Sequence, residues 1–199
     1  SSDLNDVPSI SGINELRRQA LAQYEEKLIS SFRRLSNANY TENNPNSSHK
    51  ETKISLLLNT LNLSYDYLEL KNVSKIYIPF KYFINKNFSH LLLNVCQKFD
   101  TYIYMPIIIR NNYNRLIKNN LPTILGKYKI KGFVLSNIGN FELLKDYKDY
   151  EFICNYTFNI FNNLTINELP ANTITLSPEL NKTDLKNFNT NKKTESFRS

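Results

Sequence analysis

Four glycines, two cysteines, two histidines, one methionine and no tryptophan in 199 residues remove several function classes before any motif is sought. With so few glycines, none at the spacing of a phosphate-binding loop, the chain carries no glycine-built nucleotide cradle. Neither an HExxH helix nor a GxSxG elbow occurs, and no cysteine–histidine pairing has the spacing of a nucleophilic or metal site. Cys96 and Cys154 fall on different expected elements, without the close spacing of a metal site or dithiol motif. Both therefore read as buried small hydrophobes of a reducing compartment. No apolar run approaches the roughly 18 residues that span a bilayer, and the start has no secretory core. A cytoplasmic protein without a membrane partner is the expectation. The chain opens Ser1-Ser2-Asp3 and its only methionine is Met105, which leads us to expect part of a longer protein.

What is abundant is lysine, asparagine, isoleucine and tyrosine. The formal charge is +7 with a pI near 9.3, a balance that suits acidic partners such as RNA. The lysines, however, are scattered among thirty asparagines and form no stripe, which reads as compositional bias of an AT-rich coding sequence before it reads as a nucleic-acid surface.

The pattern that carries structure is six short apolar runs, each followed by a helix-length segment: 53–58 (KISLLL), 75–78 (KIYI), 101–105 (TYIYM), 132–135 (GFVL), 151–154 (EFIC) and 172–176 (NTITL). Their spacing of roughly 20 to 30 residues is what a strand, a returning helix and two turns consume. The expected fold class is α/β: an incomplete parallel (βα) barrel, TIM-barrel-like, of about six strands, since a closed eight-unit barrel takes roughly 250 residues. A doubly wound open sheet is the alternative. Ligands of such folds meet the carboxyl ends of the strands, here Asn59, Pro79, Pro106, Ser136, Asn137, Asn155, Tyr156 and Ser177.

Before the barrel, residues 13–35 place Leu16, Ala20, Leu21, Tyr24, Leu28 and Phe32 at helical spacing behind Ser11 as the expected cap. Arg17, Arg18, Arg33 and Arg34 lie among Glu15, Glu25 and Glu26, the pattern of a solvated face. The domain plan is thus a helix in 1–36, a flexible linker in 37–52 that contains His49, a partial barrel in 53–188 and a polar tail in 189–199 with nothing resembling a strand. Helices are expected at 82–99, 112–128, 140–147, 161–169 and 178–188, the last opened by Pro178 and Glu179 after Ser177. Paired carboxylates at strand ends are not expected, because Asp66, Glu69, Asp146 and Asp149 fall in helices or loops.

Three ordered turns go further: 131–141 (KGFVLSNIGNF), 155–162 (NYTFNIFN) and 175–181 (TLSPELN). Together with 102–110 (YIYMPIIIR) and 13–20 (INELRRQA), they resemble the collagenase-like peptidase family U-32, in the later barrel-like half of its long members. The likeness covers residues 13–184. The resemblance implies a domain of a U-32-like peptidase, a hydrolase. The alternative it implies is part of an iron–sulfur-dependent RNA-base hydroxylation protein that docks RNA. The family's glutamate and cysteine-rich signature has no counterpart here. Neither a peptidase centre nor a cofactor is therefore expected within this chain, and any iron–sulfur cluster belongs to a longer parent. What remains is a non-catalytic barrel half that binds a ligand or partner: the other barrel units, a peptide or structured RNA. Its candidate ligand-binding residues are Asn137, Asn155, Tyr156, Asn159 and Ser177. Each also has a plainer reading: amides that tie loops, and a serine that caps a helix rather than attacking a substrate, since no histidine is placed to activate it.

Overall fold

In the computed structural model, residues 10–32, 53–186, 188 and 190–196 are described; His49, Arg33 and Arg34 lie outside them. The chain divides into two compact units, Ser1–Glu42 and Asn43–Ser199. In the first, α1 (Ile10–Phe32) is one continuous helix of 23 residues. It begins at Ile10, so Ser11 lies inside its first turn and is not the cap. Ile13, Leu16, Leu21, Tyr24, Leu28 and Ile29 are exposed along it.

The second unit is an open, strongly curled sheet of seven parallel strands in sequential order. The elements are β1 (Ile54–Leu57), β2 (Val73–Pro79), α2 (Phe80–Phe83), α3 (Ser89–Lys98), β3 (Asp100–Tyr104), α4 (Asn111–Lys127), β4 (Ile130–Leu135), α5 (Gly139–Leu143), β5 (Glu151–Cys154), α6 (Asn163–Glu168), β6 (Thr173–Leu176), α7 (Lys182–Lys186) and β7 (Lys193–Ser196). This is an incomplete (βα) barrel preceded by a long helix. Strict alternation makes the curl possible: along each strand successive side chains face opposite sides. On the outer side Ile76, Ile78, Ile103, Phe133, Leu135, Phe152, Cys154, Ile174 and Leu176 join one large apolar core with the helices. On the inner side Tyr77, Tyr102, Val134 and Ile153 form a second, small cluster.

Several expectations need correction. Among the described residues there are seven strands rather than about six, because the polar tail contains β7, paired parallel to β6 from Thr173↔Lys193 to Leu176↔Ser196. Pro178 and Glu179 form a turn rather than a helix start. Helix α7 opens at Lys182, where Asn181 Oδ1 accepts from the N–H groups of Thr183 (2.8 Å) and Asp184 (3.0 Å), while Asp184 Oδ2 accepts from the N–H of Asn181 (3.1 Å). That reciprocal capping box outcompetes the proline signal. The expected helix over 82–99 is broken in two, because Asn85 Oδ1 takes the N–H of Asn87 at 3.0 Å and diverts the backbone into a 3-10 turn. The helices expected at 140–147 and 161–169 shorten to Gly139–Leu143 and Asn163–Glu168.

Gly132 is the one glycine the sheet demands. A Cβ there would sit 2.0 Å from the carbonyl oxygen of Glu151, so only glycine lets β4 and β5 approach this closely.

Candidate functional site: a neutral mouth above a charged interior

The five residues expected at the mouth all follow the carboxyl ends of β4, β5 and β6. Their polar atoms are largely spent on one another and on neighbouring backbone. Asn137 donates through Nδ2 to the carbonyl of Ile107 (2.8 Å) and accepts at Oδ1 from the N–H of Asn140 (3.2 Å). Asn155 accepts from the N–H of Tyr156 (2.8 Å) and donates to the Tyr104 hydroxyl. Ser177 donates to Asn159 Oδ1 (3.2 Å) and accepts from the N–H of Glu179 (3.4 Å). Asn159 itself adopts a left-handed backbone, φ 54°, which asparagine tolerates better than most residues.

Two residues of the mouth went unremarked in the sequence. Tyr104 ends β3 and is half-buried; burial raises its pKa above the ordinary phenol value, and the nearby Tyr156 adds to the rise while Ser136 and Asn155 oppose it. It is thus a neutral hydrogen-bonding phenol at neutral pH. Asn140, fully buried, accepts at Oδ1 from the N–H groups of Ser136 (2.8 Å) and Asn137 (3.2 Å), leaving its Nδ2 buried without an acceptor. The Ser136 hydroxyl donates to the carbonyl of Met105 (2.8 Å), and Thr157 donates to the carbonyl of Ser136 (2.7 Å). The floor of the mouth is therefore built from Tyr104, Ser136 and Asn155, at the carboxyl ends of three adjacent strands, with Tyr156 beside it.

Deeper inside lies a charged network that sequence reasoning missed. Glu195 on β7 accepts from Ser55 Oγ (3.0 Å), Lys75 Nζ (2.9 Å) and Tyr77 hydroxyl, 2.8 Å from each carboxylate oxygen. Tyr77 packs edge-on against Tyr102 at 5.6 Å between centroids, and the Tyr102 hydroxyl donates to Glu151 Oε2 at 2.7 Å. Lys131 stands 3.6 Å from the other Glu151 oxygen. Two strand-borne carboxylates, Glu151 and Glu195, thus face the interior, each with its own donors. Burial first, then the adjoining carboxylates, hold the Tyr77 and Tyr102 pKa values far above the phenol range. Both are donors and neither serves as a base. Thr173, on the same inner face, buries its hydroxyl without a partner. The alternation of EFIC placed Glu151 opposite Phe152 and was a usable signal; Glu195 had none beyond the two-residue period of KTES.

The thiols belong to the outer core. Burial pushes Cys96 up to about 11 and Cys154 up to about 12, so both stay protonated and poorly nucleophilic. They are buried on different elements, unpaired, and do not fit the ligand set of an iron–sulfur cluster. Among the described residues no group of three or more His, Cys, Asp or Glu is arranged to hold a metal ion. No described helix is long and apolar enough to cross a membrane.

The class that fold and site define is an incomplete parallel (βα) barrel with a neutral mouth and a charged interior. No family model, curated protein or solved structure matches this chain.

Proposed function

We propose that this chain is a barrel domain of a U-32-like protein that binds a polar, peptide-like ligand at its carboxyl-end mouth and performs no hydrolysis by itself. One observation carries the reading. Tyr104, Ser136 and Asn155 bring neutral hydrogen-bonding groups together from three adjacent strands, the arrangement that matches an amide rather than an ion. The rim residues Asn137, Asn159 and Ser177 support that floor, and Tyr156 lies beside it to meet the ligand. The Ser177 hydroxyl is engaged by an amide rather than a base, which favours binding over acyl transfer. Residence in the cytoplasm is part of the proposal and rests on the two unpaired thiols.

Amide chemical-shift mapping tests it. A proline- and glycine-rich gelatin peptide titrated into the chain is expected to shift Tyr104, Ser136, Asn155 and Tyr156, and Tyr156→Phe or Asn155→Ala is expected to weaken binding about tenfold, the loss of one good hydrogen bond. If the peptide leaves the mouth unmoved while an RNA hairpin binds with a steep salt dependence, the chain is the RNA-docking alternative instead.

A further inference from the structure

The loops around the neutral floor differ in composition from the rest of the chain. Residues 105–109 (MPIII), 136–141 (SNIGNF) and 155–167 (NYTFNIFNNLTIN) follow β3, β4 and β5 and hold no charged residue, although charged residues make up 22% of the chain. The neighbouring strand ends are not like this: Lys81 and Lys86 follow β2, and Glu179 and Lys182 follow β6. Beyond the arc, Arg110 caps α4, and Glu142 on α5 is paired with Lys145. Exposed apolar side chains stand within this charge-free arc. Ile107 is 51% exposed, Ile108 75%, Ile138 68% and Phe161 42%, whereas the adjoining Ile109 packs against the core. Hydrogen bonds hold them close to the floor. Asn137 Nδ2 donates to the carbonyl of Ile107 (2.8 Å), and the Ser136 hydroxyl donates to the carbonyl of Met105 (2.8 Å). Ile107 thus lies two residues from the carbonyl that anchors Ser136, and Ile138 two residues from Ser136 itself, at most about 7 Å of chain in each case. On the other side the N–H of Ser177 donates to the carbonyl of Ile160 (3.3 Å), which sets Phe161 beside the end of β6.

We propose that this apolar collar selects the ligand of the mouth: a neutral peptide segment whose central amide meets the floor while large apolar side chains on either side of it cover Ile107, Ile108, Ile138 and Phe161. The inference rests on the ligand reading above and narrows it. Exposed isoleucine and phenylalanine without charge is the composition of a contact core, and covering it is favourable in proportion to the area removed from water. The same lack of charge works against other occupants. A lysine or glutamate of the ligand would lose water over the collar without meeting a counter-charge, so charged flanks are rejected. A phosphate backbone needs cations that the arc does not supply. Lipid surfaces are met by apolar side chains set among lysine and arginine, and a lipid chain has no amide for the three converging hydrogen-bonding groups. Glycine-rich segments bring too little side chain to cover the collar.

The test titrates the whole chain with three capped pentapeptides that share a central asparagine and carry leucine, lysine or glutamate at both ends, read by amide chemical shifts. The leucine peptide is expected to shift Tyr104, Ser136 and Asn155 together with Ile107 and Ile138. It is expected to bind at least about tenfold more tightly than the lysine and glutamate peptides. Ile108→Asn combined with Ile138→Asn, at two exposed positions, is expected to fold as the parent does and to bind all three peptides alike. Equal affinity of the three peptides at the floor, or an unchanged preference in the double variant, overturns the collar as selector and leaves the ligand reading standing. Shifts confined to the collar, with the floor unmoved, report adsorption and overturn it too. So does displacement of the leucine peptide by phosphatidylcholine vesicles, which makes lipid the occupant, or collar shifts that grow with protein concentration alone, which make it a second copy. If neither these peptides nor the gelatin peptide moves the floor, the ligand reading itself fails and the collar's selection with it.

Discussion

The two faces of the same seven strands are made of opposite materials. Outward, Ile76, Ile78, Ile103, Phe133, Leu135 and Ile174 are fully buried beneath the helices and hold the sheet by area. Inward, four apolar residues are joined by Ser55, Lys75, Glu151 and Glu195, which act through directed bonds. The difference teaches that stability and shape have separate sources here. Apolar burial is non-directional and rewards any close packing. A carboxylate with three donors from β1 and β2 specifies one arrangement of the ends, and so fixes how far the sheet curls.

The largest expected effect is on the outer face. Phe133 contacts Tyr147, Tyr150 and Phe152 in edge-on or tilted geometry, and Phe133→Ala is expected to destabilise by about 3–5 kcal/mol in urea unfolding. A loss below that of any inner-face variant would invert the comparison. Next comes Glu195→Ala, which leaves Lys75, Ser55 and Tyr77 without their acceptor. The pair is partly solvated, with 17% and 19% side-chain exposure, so the expected loss is about 2–3 kcal/mol rather than the full figure for a buried pair. Its signature is faster hydrogen exchange in β1 and β7 while β3 and β4 stay protected; uniform acceleration would mean that Glu195 supports the whole core. Tyr102→Phe removes one donor from Glu151, which keeps Lys131 nearby, and is expected to lose about 1 kcal/mol by the same measurement.

A smaller effect follows from the thiols. Their folded-state values of about 11 and about 12 exceed the ordinary 9.0, so the unfolded chain releases these protons first as pH rises. Their contribution is fully present below pH 9 and is lost progressively between pH 9 and 12. Urea midpoints should fall across that window, and Cys154→Ala should flatten the slope between pH 9 and 10, below the range where the tyrosines add the same sign. A slope unchanged by the substitution would remove Cys154 as its source. At the far end, the exposed Lys145–Glu142 pair is expected to contribute nothing measurable, and Lys145→Ala should leave the melting temperature unaltered.

How much of this was legible depends on which face a residue serves. KIYI, TYIYM, GFVL, EFIC and NTITL announced themselves because their outward residues are buried in the apolar core, and five strands follow those runs closely. β7 was not legible. Its outward residues Thr194 and Ser196 are exposed, so KTES has no apolar period, and its identity comes from pairing with β6 and from one half-buried carboxylate. The same limit hid Glu195 as a functional group: 140 residues separate it from Ser55, and nothing local relates them. At the mouth, the ordered turns led to Asn137, Asn155, Tyr156, Asn159 and Ser177, whereas Tyr104 passed as an ordinary strand aromatic. Pro178 misled because proline suits a helix start as well as a turn, and the nearby Asn181–Asp184 capping box decided the matter.

The Tyr77–Glu195 contact, between β2 and β7, is what holds the curl of the sheet. A double-mutant cycle with Tyr77→Phe and Glu195→Gln, measured by urea unfolding, isolates it. The account predicts a coupling of at least about 1 kcal/mol, the range of side chains in direct contact, while additivity within about 0.3 kcal/mol would contradict it.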